Sequence, residues 1–202
     1  MGIMTSAIHK VLESPLVFEV QQRLCTGNYG TVAAEFADDL VMTGQRILDV
    51  GCGTGSSSRA IVDMQANRYI GIDVDPTYVA RAAARAPAGD YRVMDGRAMD
   101  FAAGTFDLVI VNGVLHHMDD SVAAACMMEV GRVLAPKGRV LVAEPVFTPG
   151  WRISTWLLER DRGEFVRTAE GYRLLFGSLA VQRTAYFKFS VHRLCSFVLT
   201  PG

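Results

Sequence analysis

The apolar run Arg46-Ile47-Leu48-Asp49-Val50 breaks at once into Gly51-Cys52-Gly53-Thr54-Gly55, and the next apolar run closes on Asp73. A strand that gives way to alternating glycines and then a helix is built to bring backbone N–H groups close to a ligand. Glycine supplies the turn dihedrals and carries no Cβ to block the approach. A carboxylate at the tip of the neighbouring strand is placed to accept both hydroxyls of a ribose. Together these features call for an α/β sheet that binds at its strand C-termini, and for a nucleoside-type ligand.

The rest of the chain is organised to match. Short β-rich runs at Arg46–Val50, Tyr69–Asp73, Tyr91–Asp95, Phe106–Asn112 and Arg139–Glu144 alternate with helical patterns, the pattern of parallel βαβ units. The central three runs read as fully apolar, as strands covered on both faces do. Ser56–Ala66, Pro76–Ala86 and Ser121–Leu134 read as helices. The second carries Pro in its first turn, and the third is opened by Asp119-Asp120-Ser121 and closed before Pro136-Lys137-Gly138. Past Pro145 helices are expected at Thr148–Arg162 and, capped by Thr168, at Thr168–Phe176. Strands at Val181–Phe189 and Cys195–Thr200 then form a hairpin turning near Ser190, so the sheet ends antiparallel. The expected architecture is one domain over 1–202: a helical cover at 1–45, broken at Pro15 and Gly27-Asn28, a core at 46–145, and C-terminal helices with a closing hairpin at 146–202.

Composition narrows the function. With 202 residues, half of them hydrophobic and a fifth charged, the chain can bury a real core and lies outside the disordered range. Net charge is −1, so nothing global draws it to nucleic acid. The sign is uneven: from Trp151 onward eight Lys/Arg face four Asp/Glu, leaving +4 there and −5 before it. A solvated helix face is the common source of such an excess, with an anionic substrate or lipid surface the alternative. Cys25, Cys52, Cys126 and Cys195 show no paired spacing for zinc or redox chemistry, which fits reduced thiols in a cytoplasmic protein. No apolar run is long enough for a signal peptide or a membrane span.

The glycines fall at 51, 53 and 55, with Ser56 where a dinucleotide fold would carry its third glycine. The order around them is more specific: Asp49 inside the first strand, Asp73 closing the second, Asp95-Gly96 closing the third, Phe106-Asp107 opening the fourth and Pro136-Lys137-Gly138 before the fifth. From about Arg46 to Pro145 this order resembles the class I S-adenosylmethionine-dependent methyltransferases. The resemblance implies a Rossmann-like, doubly wound, seven-stranded sheet, mostly parallel with a C-terminal antiparallel hairpin. It implies that Asp49 and the backbone of Gly51, Cys52, Gly53 and Gly55 hold the methionine end of S-adenosylmethionine. Asp73 would take the ribose hydroxyls and Asp95 the adenine amino group, with Val74, Gly96 and Arg97 beside these carboxylates. Asn112 and Gly113 would lie beneath the cofactor. Leu115-His116-His117-Met118 looks like the post-strand segment of the branch that methylates quinones and metabolites.

The residues read on their own agree. A loop without lysine suits a cofactor that carries no phosphate but does carry an ammonium, a carboxylate and a sulfonium. Carboxylates at strand ends would be costly if buried without partners, whereas Asp75, Asp100 and Asp119 read as helix and turn caps. Methyl transfer from a sulfonium is an in-line displacement governed by placement and dryness, and a base is needed only for an acceptor that arrives protonated. The candidate catalytic groups are His117, then His116, then Glu144; His117 is also a candidate cofactor-binding residue that packs beside the cofactor without moving a proton, and Glu144 is either an acceptor-binding group or a turn anchor. Tyr29 is either a cover over the cofactor or core, Gln21 and Gln22 are weaker candidates of the same kind, and Trp151 and Trp156 read as core or pocket wall. The fourth strand ends Asn112-Gly113-Val114-Leu115, without the Pro-Pro-aromatic signature of nucleobase-amine methylation, so DNA and RNA are not expected as partners. Glu144-Pro145-Val146 is not the acidic pair of metal-dependent catechol methyltransferases, and His9 and His192 stand alone, so no metal is expected. The expected acceptor is a small, partly hydrophobic molecule, quinone-, polyketide- or lipid-like, given the apolar segments Leu16-Val17-Phe18 and Trp151, Ile153, Trp156 and Leu157. The alternatives are a cofactor-binding protein without turnover and an NAD-dependent oxidoreductase. The second would want a glycine at 56 and a Tyr-x-x-x-Lys set, and neither is present.

Overall fold

Alternation along the first and fourth runs decides the layers. In a computed structural model, which describes residues 29–40, 43–147, 165–189 and 192–202, β1 (Arg46–Val50) and β4 (Phe106–Asn112) lie side by side at the centre of a seven-stranded sheet. Successive side chains of a strand point to opposite faces. Leu48, Val50, Val109 and Val111 therefore enter one apolar layer, and Ile47, Leu108 and Ile110 enter the other. The remaining strands are β2 (Arg68–Asp73), β3 (Asp90–Val93), β5 (Leu134–Pro145), β6 (Leu179–Phe189) and β7 (His192–Pro201), in the spatial order β3-β2-β1-β4-β5-β7-β6. The first five in that order run parallel, and β7 and β6 close the sheet antiparallel. This is the mixed Rossmann-like α/β sheet the sequence called for, and its order reverses between β1 and β4, where such sheets bind ligands.

Helices cover both faces. α1 (Gly30–Glu35) puts Val32 on the layer with Ile47, and Phe36 beyond it joins the same layer. Asp39 ties this cover to the closing strands, accepting from Arg183 at 2.7 Å and Arg139 at 3.3 Å, while the Ser196 hydroxyl donates to Glu35 at 2.7 Å. α2 (Ser58–Ile61) and α3 (Pro76–Arg85) join the first three strands. α4 (Asp120–Val133) buries Ala123, Cys126, Met127, Val130 and Val133, the spacing of a one-sided helix. α5 (Ala169–Arg173) leads into β6. Asp75 and Asp119 cap α3 and α4, accepting from Thr77 N at 2.7 Å and Val122 N at 2.9 Å, as N-cap carboxylates do.

Four expectations change. The helix expected over Ser56–Ala66 is only α2, because Asp63 takes the amides of Gln65 and Ala66 and turns the chain; a side chain that offers the backbone another partner ends a helix. β3 is an exposed edge strand rather than a covered one, with Val93 55 % accessible, and it stops two residues before Asp95. Pro136-Lys137-Gly138 lies within β5 instead of before it, where the register jumps from Phe106–Leu134 to Leu108–Arg139, a bulge in the strand. A Cβ at Gly138 would stand 2.7 Å from Leu134 Cδ1, which explains the glycine there. The hairpin strands are longer than expected by two residues at Leu179 and three at His192. The expected helices over 1–28 and 148–162 lie outside the described residues, as do Gln21, Gln22, Trp151, Trp156 and the turn at Ser190.

Candidate functional site

The turn after β1 is the centre of the site. Gly51, Gly53 and Gly55 all have positive φ, at 71°, 53° and 74°, a region L side chains rarely adopt. At Gly51 space is decisive too, since a Cβ would lie 2.5 Å from Val114 Cγ2 in the turn after β4. Beside Gly53, in contrast, a Cβ would meet nothing within 4 Å. The amides of the loop are engaged inside the protein: Gly51 and Cys52 donate to Ile72 O at 2.8 and 3.0 Å, Gly53 to Asp73 Oδ2 at 2.9 Å and Gly55 to Cys52 O at 3.0 Å. Four of the N–H groups expected to face a ligand thus have acceptors inside the protein. β2 runs close enough for its carbonyl and its terminal carboxylate to take three of them, and the loop is left with open space at Gly53.

Asp73 closes β2 and holds the loop from the side. Its other oxygen accepts from Asp75 N at 2.9 Å. Each carboxylate oxygen can take two donors, so both keep capacity for a diol. Val74, next in the chain, is 66 % exposed, an apolar side chain presented at the strand end. Asp49 is buried inside β1 and accepts the Tyr69 hydroxyl at 2.8 Å. Tyr69 was not among the expected residues, though alternation places 47, 49, 69 and 71 on one face of paired parallel strands. Gly71 makes room there, where a Cβ would come within 2.9 Å of both the Tyr69 hydroxyl and Tyr91 Cδ1. Burial, with the charges of Asp49 and Asp73 adding to it, holds the Cys52 thiol well above its usual range. Burial also pushes the Tyr91 hydroxyl up to about 12, so both stay neutral at physiological pH.

Past β3, Asp95 is gripped by Arg97, whose Nε lies 3.0 Å from both carboxylate oxygens and whose Nη2 lies 2.6 Å from one. That hydrogen bonding, with the Arg97 amide, lowers the Asp95 pKa. Arg97 is thus Asp95's partner. Gly96 is a packing glycine, since a Cβ there would approach Cys126 Sγ to 3.0 Å and Val50 Cγ1 to 3.2 Å. Tyr29 accepts the amides of Val32 and Ala33 on its carbonyl and, partly buried, packs against the apolar layer of Ile47 and Ile110.

The second half of the site follows β4. Asn112 ends that strand, and Gly113, with φ at 68°, donates to Ala143 O at 2.9 Å. A short 3₁₀ turn, Leu115–His117, separates the two histidines: His116 is buried and His117 exposed, their rings 4.0 Å apart. Glu144 is wholly buried. Oε1 accepts from Val114 N at 2.9 Å and Leu115 N at 2.8 Å, and Oε2 accepts from His116 N at 3.4 Å and lies 2.7 Å from His116 Nδ1. Because a carboxylate only accepts, Nδ1 carries the proton. Of the two readings of Glu144, the geometry is that of the turn anchor: the side chain has no exposed surface to offer an acceptor. Arg167 holds the same turn from the other side, bonding Leu115 O and Met118 O, and Tyr172 bonds Pro145 O beside it; neither carries a local sequence signal. Among the described residues no group of three or more His, Cys, Asp or Glu could hold a metal ion, and no helix is long and apolar enough to cross a membrane.

Comparison with known proteins places this geometry. Residues 47–138 match the family described as Methyltransferase domain. A wheat phosphoethanolamine N-methyltransferase is 30 % identical over 130 residues, 62 % of this chain and 26 % of that protein. The 2-methyl-6-phytyl-1,4-hydroquinone methyltransferase of Synechocystis is 35 % identical over 109 residues, 52 % of this chain and 34 % of that protein. The chain thus spans about a third or less of the length of these curated relatives. The magnesium protoporphyrin IX methyltransferase of Synechocystis, solved with bound S-adenosylhomocysteine, superposes with a TM-score of 0.73 at 16 % identity, covering 98 % of this chain and all of that one. Residues 47–138 are thus similar to a methyltransferase domain, and the sheet shares the Rossmann-like fold of that neighbour.

Proposed function

We propose that this protein transfers a methyl group from S-adenosylmethionine to a small, partly hydrophobic organic acceptor. The observation that carries the reading is the state of the glycine loop. With the amides of Gly51, Cys52, Gly53 and Gly55 already bonded within the protein, four N–H groups are withdrawn from the nest that the pyrophosphate of a dinucleotide would need. The loop suits a phosphate-free nucleoside: Asp73 takes the ribose hydroxyls on its remaining lone pairs, Val74 lies against the adenine and Asp95 accepts its amino group. The methionine end sits in the space over Gly53, near the buried Asp49.

S-adenosylmethionine, when bound, supplies an electrophilic methyl on a sulfonium. This chain's residues orient the acceptor in line with it and keep water out, which is where most of the acceleration in such a displacement arises. His117 lines the acceptor side and is the accessible group for a proton if the acceptor is a phenol or hydroquinone. His116, committed to Glu144, supports the turn. Phe165, whose amide bonds His116 O in that turn and which is a little over a third exposed, favours an apolar or aromatic acceptor, the class to which the Synechocystis relative's hydroquinone belongs. Calorimetry with S-adenosylmethionine, S-adenosylhomocysteine and NAD tests the reading: binding of the first two and no heat with NAD is expected, and binding of NAD alone would overturn it.

A further inference from the structure

Arg167 belongs to none of the motifs above, yet its guanidinium is fully engaged. A guanidinium carries five N–H donors, and each one here has an acceptor. Nε donates to Asp120 Oδ1 at 2.9 Å, Nη1 to Leu115 O and Phe165 O at 2.8 Å, and Nη2 to Met118 O at 2.7 Å and Asp120 Oδ1 at 2.7 Å. The side chain is only 9 % exposed. Around it, Phe165 N donates to His116 O at 3.0 Å, Arg167 pairs with Val146 as an isolated parallel bridge, and the Tyr172 hydroxyl donates to Pro145 O at 3.0 Å. The turn that carries both histidines is therefore held by two buried ionic groups of opposite sign. Glu144 collects its amides from the sheet side, and Arg167 collects its carbonyls from the segment before α5.

We infer that Arg167 is a positioning residue for the acceptor side of the cleft, setting the turn at 115–118 and with it the ring of His117. The inference rests on the proposed function, in which that turn faces the acceptor. It separates cleanly from cofactor binding, since none of Arg167's bonds reaches the glycine loop, Asp73 or Asp95. Lysine cannot replace it, because an ammonium on a flexible stem has three donors and no fork to span Leu115 O, Met118 O and Asp120 together.

The test uses the full chain with Arg167→Lys and, as a milder variant, Asp120→Asn, which weakens the clamp and leaves the carbonyl bonds in place. Calorimetry with S-adenosylhomocysteine should give R167K a Kd within about twofold of wild type, the uncoupled expectation for sites with no shared partner. Imidazole ¹H–¹⁵N spectra of that complex should show the His117 ring signals shifted and broadened in R167K and shifted less in D120N. The His116 Nδ1–H resonance should persist, because Glu144 holds it independently. With a prenylated hydroquinone as probe acceptor, kcat/KM for the probe should fall roughly a hundredfold, the cost of misplacing a reacting group by about 1 Å, with KM for S-adenosylmethionine unchanged. Histidine signals left in place by R167K would overturn the inference, whether or not the probe is methylated. If R167K does not fold, the same reading is taken from D120N. Failure of wild-type protein to bind S-adenosylhomocysteine would instead remove the proposed function beneath it.

Discussion

Glu144 offers the sharpest test of how the turn after β4 is held. It is fully enclosed and accepts three backbone N–H groups and one imidazole N–H. Glu144→Gln keeps one oxygen, so the bonds from Val114 and Leu115 at 2.9 and 2.8 Å survive. The amide nitrogen that replaces Oε2 cannot accept from His116 N or Nδ1. The imidazole can move its proton to Nε2 and accept instead, so the ring contact continues as a neutral bond. The loss is the difference between a charge-assisted and a neutral bond, about 1 kcal/mol, with a weaker penalty for the unpaired His116 amide, together about 1–2 kcal/mol. Glu144→Leu removes every acceptor and leaves three enclosed amides unpaired, at about 1 kcal/mol or more each, so about 3–5 kcal/mol is expected. Urea unfolding followed by circular dichroism measures both, with the midpoint falling in that order and the slope unchanged. A Gln variant that unfolds at the wild-type midpoint, or a Leu variant no weaker than the Gln, would refute the anchor.

Asp73→Ala should weaken S-adenosylhomocysteine binding by about 1.5–3 kcal/mol, the range for bonds to a charged group; calorimetry with unchanged affinity would remove Asp73 from the site. Gly51→Ala meets both a positive φ and Val114 at 2.5 Å, so a loss of about 2–4 kcal/mol in unfolding free energy is expected, from strain and overpacking together. Asp95 titrates below its usual carboxyl value because Arg97 bonds its charged form. A lowered folded pKa makes any stability contribution present above the unfolded value and lost as pH falls through the folded one. Carboxyl NMR titration should show Asp95 below its ordinary midpoint of 3.8 and Arg97→Gln should return it upward, while an unmoved midpoint would mean that the pair does not persist in solution.

The parts legible in the chain were those that a local pattern encodes. Short apolar runs at 47–50 and 106–111 place the strands, Asp75 and Asp119 cap their helices as short polar residues before helical runs do, and the positive-φ glycines mark the turn that follows β1. Local pattern failed where a competing partner lay nearby but out of sight, as when Asp63 turned the chain after α2, or where the register slipped, as in the bulge at Pro136-Lys137-Gly138.

The order of residues by itself determined the α/β class, the glycine turn after β1 and the carboxylate that closes β2, because dihedral preference and apolar patterning act between neighbours in the chain. Only the folded chain decided which donors and acceptors remain for a ligand. Ile72 O and Asp73 take three of the loop amides, Tyr69 takes Asp49, Glu144 becomes an anchor through contacts 28–30 residues away, and Arg167 reaches back 47–52 residues to the same turn. Hydrogen-bond capacity is divided among groups by distance in space, and no spacing along the chain records that division.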